Sequence, residues 1–229
     1  MRRFQLTHLA VALAVSLAVS LAACNESSSD PVNPPPPDDD ASLNVVNSAG
    51  APVAVTVDGQ VAVASLAAGA LSQRGISTGN HTVQLRLASG GTPQSVQFLA
   101  REGRTYVVQG LADQGGVAAQ IDTGATPVAN RSKLRIIHGA AGAPAVDVWR
   151  TQPDFPTPIL IQDQFSYTEK SPFLESDPGA WEVWVTPKGQ TAPKLATSGP
   201  VVLEGGWVRT LFLLDGPNGE LRIVSETAP

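Results

Sequence analysis

The chain is predicted to be all-β and to carry two tandem β-sandwich domains, and three observations support this. Short runs of Val, Leu and Ile alternate with other residues at period two, as Val53, Val55 and Val57 do with Ala54 and Thr56. Turn formers punctuate these runs: 21 Gly and 19 Pro are spread through 229 residues, and past the leader no segment keeps a helical apolar period for the roughly ten residues a helix needs. The stretch L-R-I-I-H-G-A-A-G-A-P-A-V-D-V-W at 134–149 returns in weaker form as L-N-V-V-N-S-A-G-A-P-V-A-V-T-V at 43–57, which makes the chain a repeat. A charged fraction of 15% with mean hydropathy near zero is globular rather than disordered on average.

The N-terminus is expected to be an address. Met1, Arg2 and Arg3 precede an unbroken run of Leu, Ala, Val and Ser over 9–23. That run falls short of the ~20 residues a spanning helix takes and ends in small residues, so residues 1–23 are expected to be a cleaved signal peptide. Leu21-Ala22-Ala23-Cys24 resembles a bacterial lipobox, and the resemblance implies acylation of Cys24 with cleavage before it. Cys24 is the one cysteine of the chain, so no intramolecular disulfide can form. Several acyl chains on one residue give stable anchoring, and the lipid bilayer is therefore an expected partner through acylated Cys24. Asn25, where the enterobacterial pattern for inner-membrane retention has Asp, points to the outer membrane of a Gram-negative host.

Residues 24–40 then form a lipidated cysteine and a tether. N-E-S-S-S-D-P-V-N-P-P-P-P-D-D-D cannot bury enough surface to order itself, and in polyproline form, at about 3.1 Å per residue, it reaches roughly 50 Å. Asp38, Asp39 and Asp40 read as a solvated charge run, because calcium needs enclosing oxygens that such a tail lacks. With Arg2 and Arg3 lost in the leader, 13 basic residues face 20 acidic ones, a balance of −7 that offers nucleic acid no basic patch.

The first repeat is placed at 41–123. Asp58-Gly59 turns Val53–Val57 into the next strand, and after Gly79-Asn80 the residues His81, Val83, Leu85 and Leu87 share one face. Seven or eight such strands fit a β-sandwich of immunoglobulin-like size without that fold's disulfide. His81 sits on the apolar face with no acidic or histidine companion nearby in sequence, which reads as a structural histidine. Residues 124–131 are a short Pro-containing linker, and the second repeat occupies 132–229. Expressed apart, 41–125 and 130–229 are each expected to fold.

The copies are followed by offset. Leu43 matches Leu134, Pro52 matches Pro144, Gly79 matches Gly179 and Glu102-Gly103 matches Glu204-Gly205, so the offset grows from 91 to 102 as loops lengthen. The largest step falls at 151–158, T-Q-P-D-F-P-T-P, a loop too rich in proline to continue a paired strand. Nine of the twelve aromatic residues lie in the second repeat. Strand parity puts Trp181 inward and sets Trp149 and Trp184 outward, so Trp149, Phe155 and Trp184 are candidates for a stacking platform that takes a sugar or peptide. The competing reading is that loop, linker or the other repeat covers these rings.

The motif at 134–149 resembles the opening of a bacterial envelope-protein domain known as domain of unknown function four-three-nine-seven, with its L-R-[IV]-[IV]-H strand, small loop and A-P-A-V-D-V segment. The resemblance spans 42–227, strong in the second copy and degenerate in the first. It implies an architecture rather than an activity. His138, Pro144 and Asp147 match the motif, whereas the first copy has Asn47 and Ala54 in place of the His and Asp. The alternative for His138 and Asp147 is a hydrolase acting on envelope polymer, and it is disfavoured because no G-x-S-x-G elbow or other identifiable nucleophile accompanies them. The favoured role is structural, with His138 bonded to a loop carbonyl or to Asp147 and pinning the first hairpin. Asp215-Gly216-Pro217-Asn218-Gly219-Glu220 lacks calcium-loop spacing and reads as a hairpin turn. No metal, cofactor or catalytic residue is expected. The functional expectation is an envelope lipoprotein with a binding or structural role, its partner an envelope polysaccharide or protein. The alternative is a hydrolase or a carbohydrate-binding accessory module using the second repeat.

Overall fold

A computed structural model describes residues 41–113, 116–124, 128–152 and 157–226, and so Cys24 with the segments expected to be leader and tether, and Phe155, lie outside the described residues. The first repeat contains β1 (Ala41–Ser48), β2 (Val53–Val57), β3 (Gln60–Leu66), β4 (Leu71–Ile76), β5 (Gly79–Leu87), β6 (Gln94–Ala100), β7 (Thr105–Asp113) and β8 (Gly116–Thr123). The second contains β9 (Ser132–His138), β10 (Val146–Thr151), β11 (Ile159–Phe165), β12 (Leu174–Ser176), β13 (Gly179–Pro187), β14 (Ala196–Leu203), β15 (Val208–Asp215) and β16 (Leu221–Ser225). The sheets are ordered β4-β1-β7-β8 and β3-β2-β5-β6 in one copy, β12-β9-β15-β16 and β11-β10-β13-β14 in the other. The same wiring appears twice, including a parallel pair, β1 with β7 and β9 with β15, in otherwise antiparallel sheets. The fold is therefore all-β, two β-sandwiches made by duplication.

Each sandwich closes on its own alternating face. Leu43, Val45, Val53, Val55, Val83, Leu85, Tyr106 and Val108 share the first core, and Leu134, Ile136, Val146, Val148, Val183, Val185, Leu211 and Leu213 the second. Period two predicts that the alternate residues of β1, β7, β9 and β15 are wet. They are instead buried. Val46 and Val107 from the first repeat join Ile137, Phe212 and Leu214 from the second in a third apolar cluster. The sheets β4-β1-β7-β8 and β12-β9-β15-β16 are thus covered on both faces, and the two sandwiches stack through them as four layers.

Polar contacts fix this seam. Tyr167 Oη donates to the Ser48 carbonyl at 2.8 Å and accepts from the Ala112 N–H at 3.2 Å, reaching from the second copy to β1 and β7 at once. Arg222 donates to the carbonyl of Gly69, and a Cβ on Gly69 would collide with the backbone carbonyl of Asp215. Glu226, just past β16, is buried in the seam, where Asn44 Nδ2 of the first repeat and the Thr210 N–H of the second each donate to its carboxylate at 2.6 Å.

The structure corrects one step of the sequence correspondence. Leu43 pairs with Tyr106 and Leu134 with Arg209, and the turns Arg104 N–H to Arg101 and Trp207 N–H to Glu204 are equivalent, so the offset here is 103 and Gly103 matches Gly206 rather than Gly205. Both glycines have positive φ, 66° and 87°. A register shift in the β13–β14 pairing, beside Gly199 at φ 62°, lies on the stretch where the offset moves from 100 to 103.

Because Phe212 is fully buried in the seam, Phe212→Ala is expected to cost about 3–5 kcal/mol. The loss should lower a single thermal transition followed by probes in both repeats. A shift confined to second-repeat probes would show that the sandwiches unfold independently.

Candidate functional site

The motif residues are placed by the loop that joins β9 to β10. His138 ends β9, is fully buried, and lies against the Phe165 ring with centroids 5.3 Å apart. Its Nδ1 accepts a hydrogen bond from the Ala140 N–H at 3.3 Å, two residues on, which places the proton of the neutral ring on Nε2. Burial holds the imidazole far below its ordinary 6.5, at about 4, against the opposing charges of Asp215 and Glu169 and the Pro144 carbonyl. Pro144 itself is exposed in the loop. Asp147 does not bond to His138. Its Oδ1 accepts from the Gln164 N–H at 2.9 Å and its Oδ2 from the Gly189 N–H at 2.7 Å, so the carboxylate ties the end of β11 to the turn after β13.

The first copy shows what the histidine position does. Asn47 occupies it, also fully buried, and its Oδ1 accepts from the Ala49 N–H at 2.9 Å, again two residues on. Its Nδ2 donates to the Ala51 and Leu66 carbonyls, each at 2.8 Å. Leu66 is the counterpart of Phe165, since these two face Val53 and Val146 in register. One position, in two chemistries, staples the same loop to the same neighbour.

Trp149 and Trp184 stand opposite each other in register, and neither belongs to the second core, whereas Val183 and Val185 on either side of Trp184 do. The expectation of an exposed ring fails at Trp184, which is only 6% exposed. The loop after β13 returns over it and sets Lys194 Nζ 4.0 Å from the ring centroid, with the ammonium also 2.9 Å from Glu182 Oε1. Trp149 is half-buried, and its indole N–H donates to Thr186 Oγ1, which donates in turn to the Gln190 carbonyl of the same loop. The loop therefore covers the face that parity assigned to a stacking platform, and Phe155, the third member, lies outside the described residues. The other aromatic residues of this copy are similarly committed. Arg135 lies over Phe173, Arg150 over Trp181 and Arg209 over Trp207, at 4.2–4.7 Å from the ring centroids.

His81 has a companion that sequence distance concealed. Its Nδ1 lies 2.7 Å from Asp58 Oδ2 and its Nε2 2.9 Å from the Ser77 carbonyl, joining the β2–β3 turn to the segment before β5. Asp215 to Glu220 forms the β15–β16 turn. Among the described residues, no three His, Cys, Asp or Glu side chains gather as a metal-ion site would require.

Sequence reasoning missed Glu226. Burial pushes its carboxyl up to about 7, although Thr210 N–H, Arg209, Arg135 and Asn44 all favour the anion. Its only sequence signal was a charged residue directly after the β16 segment.

The structure is similar to the Bacillus anthracis TIE protein (10% identity, TM-score 0.26, covering 76% of this chain and 33% of that one). It is also similar to a leucine-rich repeat protein from Bacteroides thetaiotaomicron VPI-5482 (10% identity, TM-score 0.20, covering 74% of this chain and 25% of that one). This chain thus spans a third or less of the length of these two. No curated protein matches.

Two expectations follow from the geometry. His138, depressed by burial, contributes stability that is complete above 6.5 and lost as pH falls towards 4; Glu226, raised by burial, contributes stability that is complete below 4.5 and lost as pH rises towards 7. Denaturant midpoints across pH should therefore lose their acid-side fall in His138→Asn and their rise-of-pH loss in Glu226→Gln. Unchanged pH profiles would contradict the assignments. For the tryptophans, Trp184 as sole indole should be poorly quenched by acrylamide, and Lys194→Ala should increase that quenching; efficient quenching before the substitution would mean the loop does not cover it.

Residues 41–149, from β1 through the motif strand of the second copy, match the family model described as Domain of unknown function (DUF4397), the family that the His138 and Asp147 motif resembles.

Proposed function

We propose that this protein is a non-catalytic lipoprotein of the cell envelope, anchored by acylated Cys24 and presenting its fused pair of β-sandwiches on the tether of residues 25–40. The observation that carries the non-catalytic part is the use of the motif residues. Both oxygens of Asp147 are taken up by backbone N–H groups, and His138 is buried with its Nδ1 bonded to its own loop. The two do not bond to each other, and Asn47 performs the His138 role in the first copy, which a general base could not share with an amide. A hydrolase reading would need these side chains to converge on a pocket.

Anchoring is supported by the basic flank, the short apolar run, the lipobox-like Leu21-Ala22-Ala23-Cys24 and the use of a single cysteine at that position. The role we infer is binding or structural, with an envelope polysaccharide or protein as partner. A carbohydrate-binding use of Trp149 and Trp184 would require the loop carrying Lys194 to move away first.

The test of the anchor is metabolic labelling with fatty acid. The wild type is expected to incorporate label and to fractionate with membranes, and Cys24→Ser to do neither, leaving precursor or soluble protein. Label retained in Cys24→Ser, or an unlabelled wild type, would overturn the anchoring.

A further inference from the structure

Each sheet has two edge strands, and an unprotected edge is a template for another strand because its outer N–H and C=O groups lack ladder partners. Among the described residues, seven of the eight edges carry a recognised obstacle. Strands β3 and β11 shift register against their partners, and β14 contains Gly199 at φ 62° followed by Pro200. Strand β12 has three residues, while β4, β8 and β16 include Arg74, Asp122 and Arg222 in their sequences.

The exception is β6, Q-S-V-Q-F-L-A. It pairs with β5 through seven consecutive residues without a shift and contains no charge, proline or glycine. Its equivalent in the second copy is β14, where the same edge is broken. Along β6 the residues Val96 and Phe98 are half-buried, Leu99 is 50% exposed, and an open groove of about 470 Å³ is lined by Asn80, His81, Thr82, Gln97, Phe98 and Leu99.

We propose that β6 is a self-association edge, at which two copies of this chain join β6 to β6 antiparallel about a two-fold axis at Gln97. Three features favour a second copy as the occupant. An isologous seam must be self-complementary, and in this register Val96 of each copy meets Phe98 of the other on one face while Gln97 meets Gln97 and Ser95 meets Leu99 on the other. A chain with excess negative charge repels its own kind over most of its surface, and β6 is an uncharged line of approach. The edge is short, so the contact is weak in solution, and confinement to a membrane raises the local concentration. This last point rests on the lipoprotein reading.

The experiment is oxidative cross-linking of the full chain in cells. Gln97→Cys is expected to give a disulfide dimer, and Thr82→Cys, one strand inward and facing Gln97 across β5–β6, is expected to give none. Adding Ser95→Lys and Leu99→Lys to Gln97→Cys opposes lysines across the axis twice and should lower dimer yield by about tenfold or more. Co-expression with a Gln97→Cys chain carrying Ser95→Glu and Leu99→Glu should restore a mixed dimer, which controls for misfolding. Absence of the Gln97→Cys dimer, or a yield unaffected by the lysines, overturns the proposal. The wild type, whose sole thiol is Cys24, reports separately on the anchor: it stays monomeric on oxidation if Cys24 is acylated and can dimerise if it is free. Repeating the cross-link in a Cys24→Ser background keeps the β6 result readable in either case.

Discussion

The structure depends on one constraint: β1, β7, β9 and β15 must bury both of their faces. One face of each closes its own sandwich, and the other closes the seam where Val46 and Val107 meet Ile137, Phe212 and Leu214. Polar side chains bond across this seam, Asn44 to Glu226 and Tyr167 to the backbone of Ser48 and Ala112. Close approach also explains Gly139, where a Cβ would strike Ser48 Oγ and Leu214 Cδ2. Duplication has thus produced one stacked object with three apolar layers between four sheets.

The same constraint separates what the copies share from what they have changed. The loop after β1 and β9 must be held against the next strand in both, and Asn47 or His138 holds it by accepting an N–H two residues on. Around that shared staple the second copy has gained rings, and each of Phe173, Trp181, Trp184 and Trp207 has a cation over it. Stacked rings accompany the burial of Arg135 and Arg209, whose charges act on Glu226, where an unpaired charge would be costly. The aromatic excess of this copy is therefore largely structural.

Much of this was legible in the sequence. Alternation in β2, β5 and β13 gave strand existence and the inward placement of His81 and Trp181, and the recurring motif gave the duplication. The seam was not read, although it left a trace: Leu211 to Leu214 is too continuously apolar for a strand with one wet face, a pattern that belongs to sheets covered twice. The cover over Trp184 was illegible for a different reason. Parity fixes which side of a sheet a residue takes, but a loop such as the one bearing Lys194 has no period from which its path could be drawn. The exchange of Gly205 for Gly206 in the repeat correspondence has a similar origin, because a bulge adds a residue without changing composition.

Native-state hydrogen exchange tests the central claim most directly, because it reads the opening free energy of each strand in place. If the two sandwiches are one cooperative object, the slowest amides of β1 and β7 and those of β9 and β15 will share a single opening free energy, and a destabilising change within either core will lower all four strands together. Two distinct opening free energies, with each repeat responding only to changes in its own core, would contradict the account.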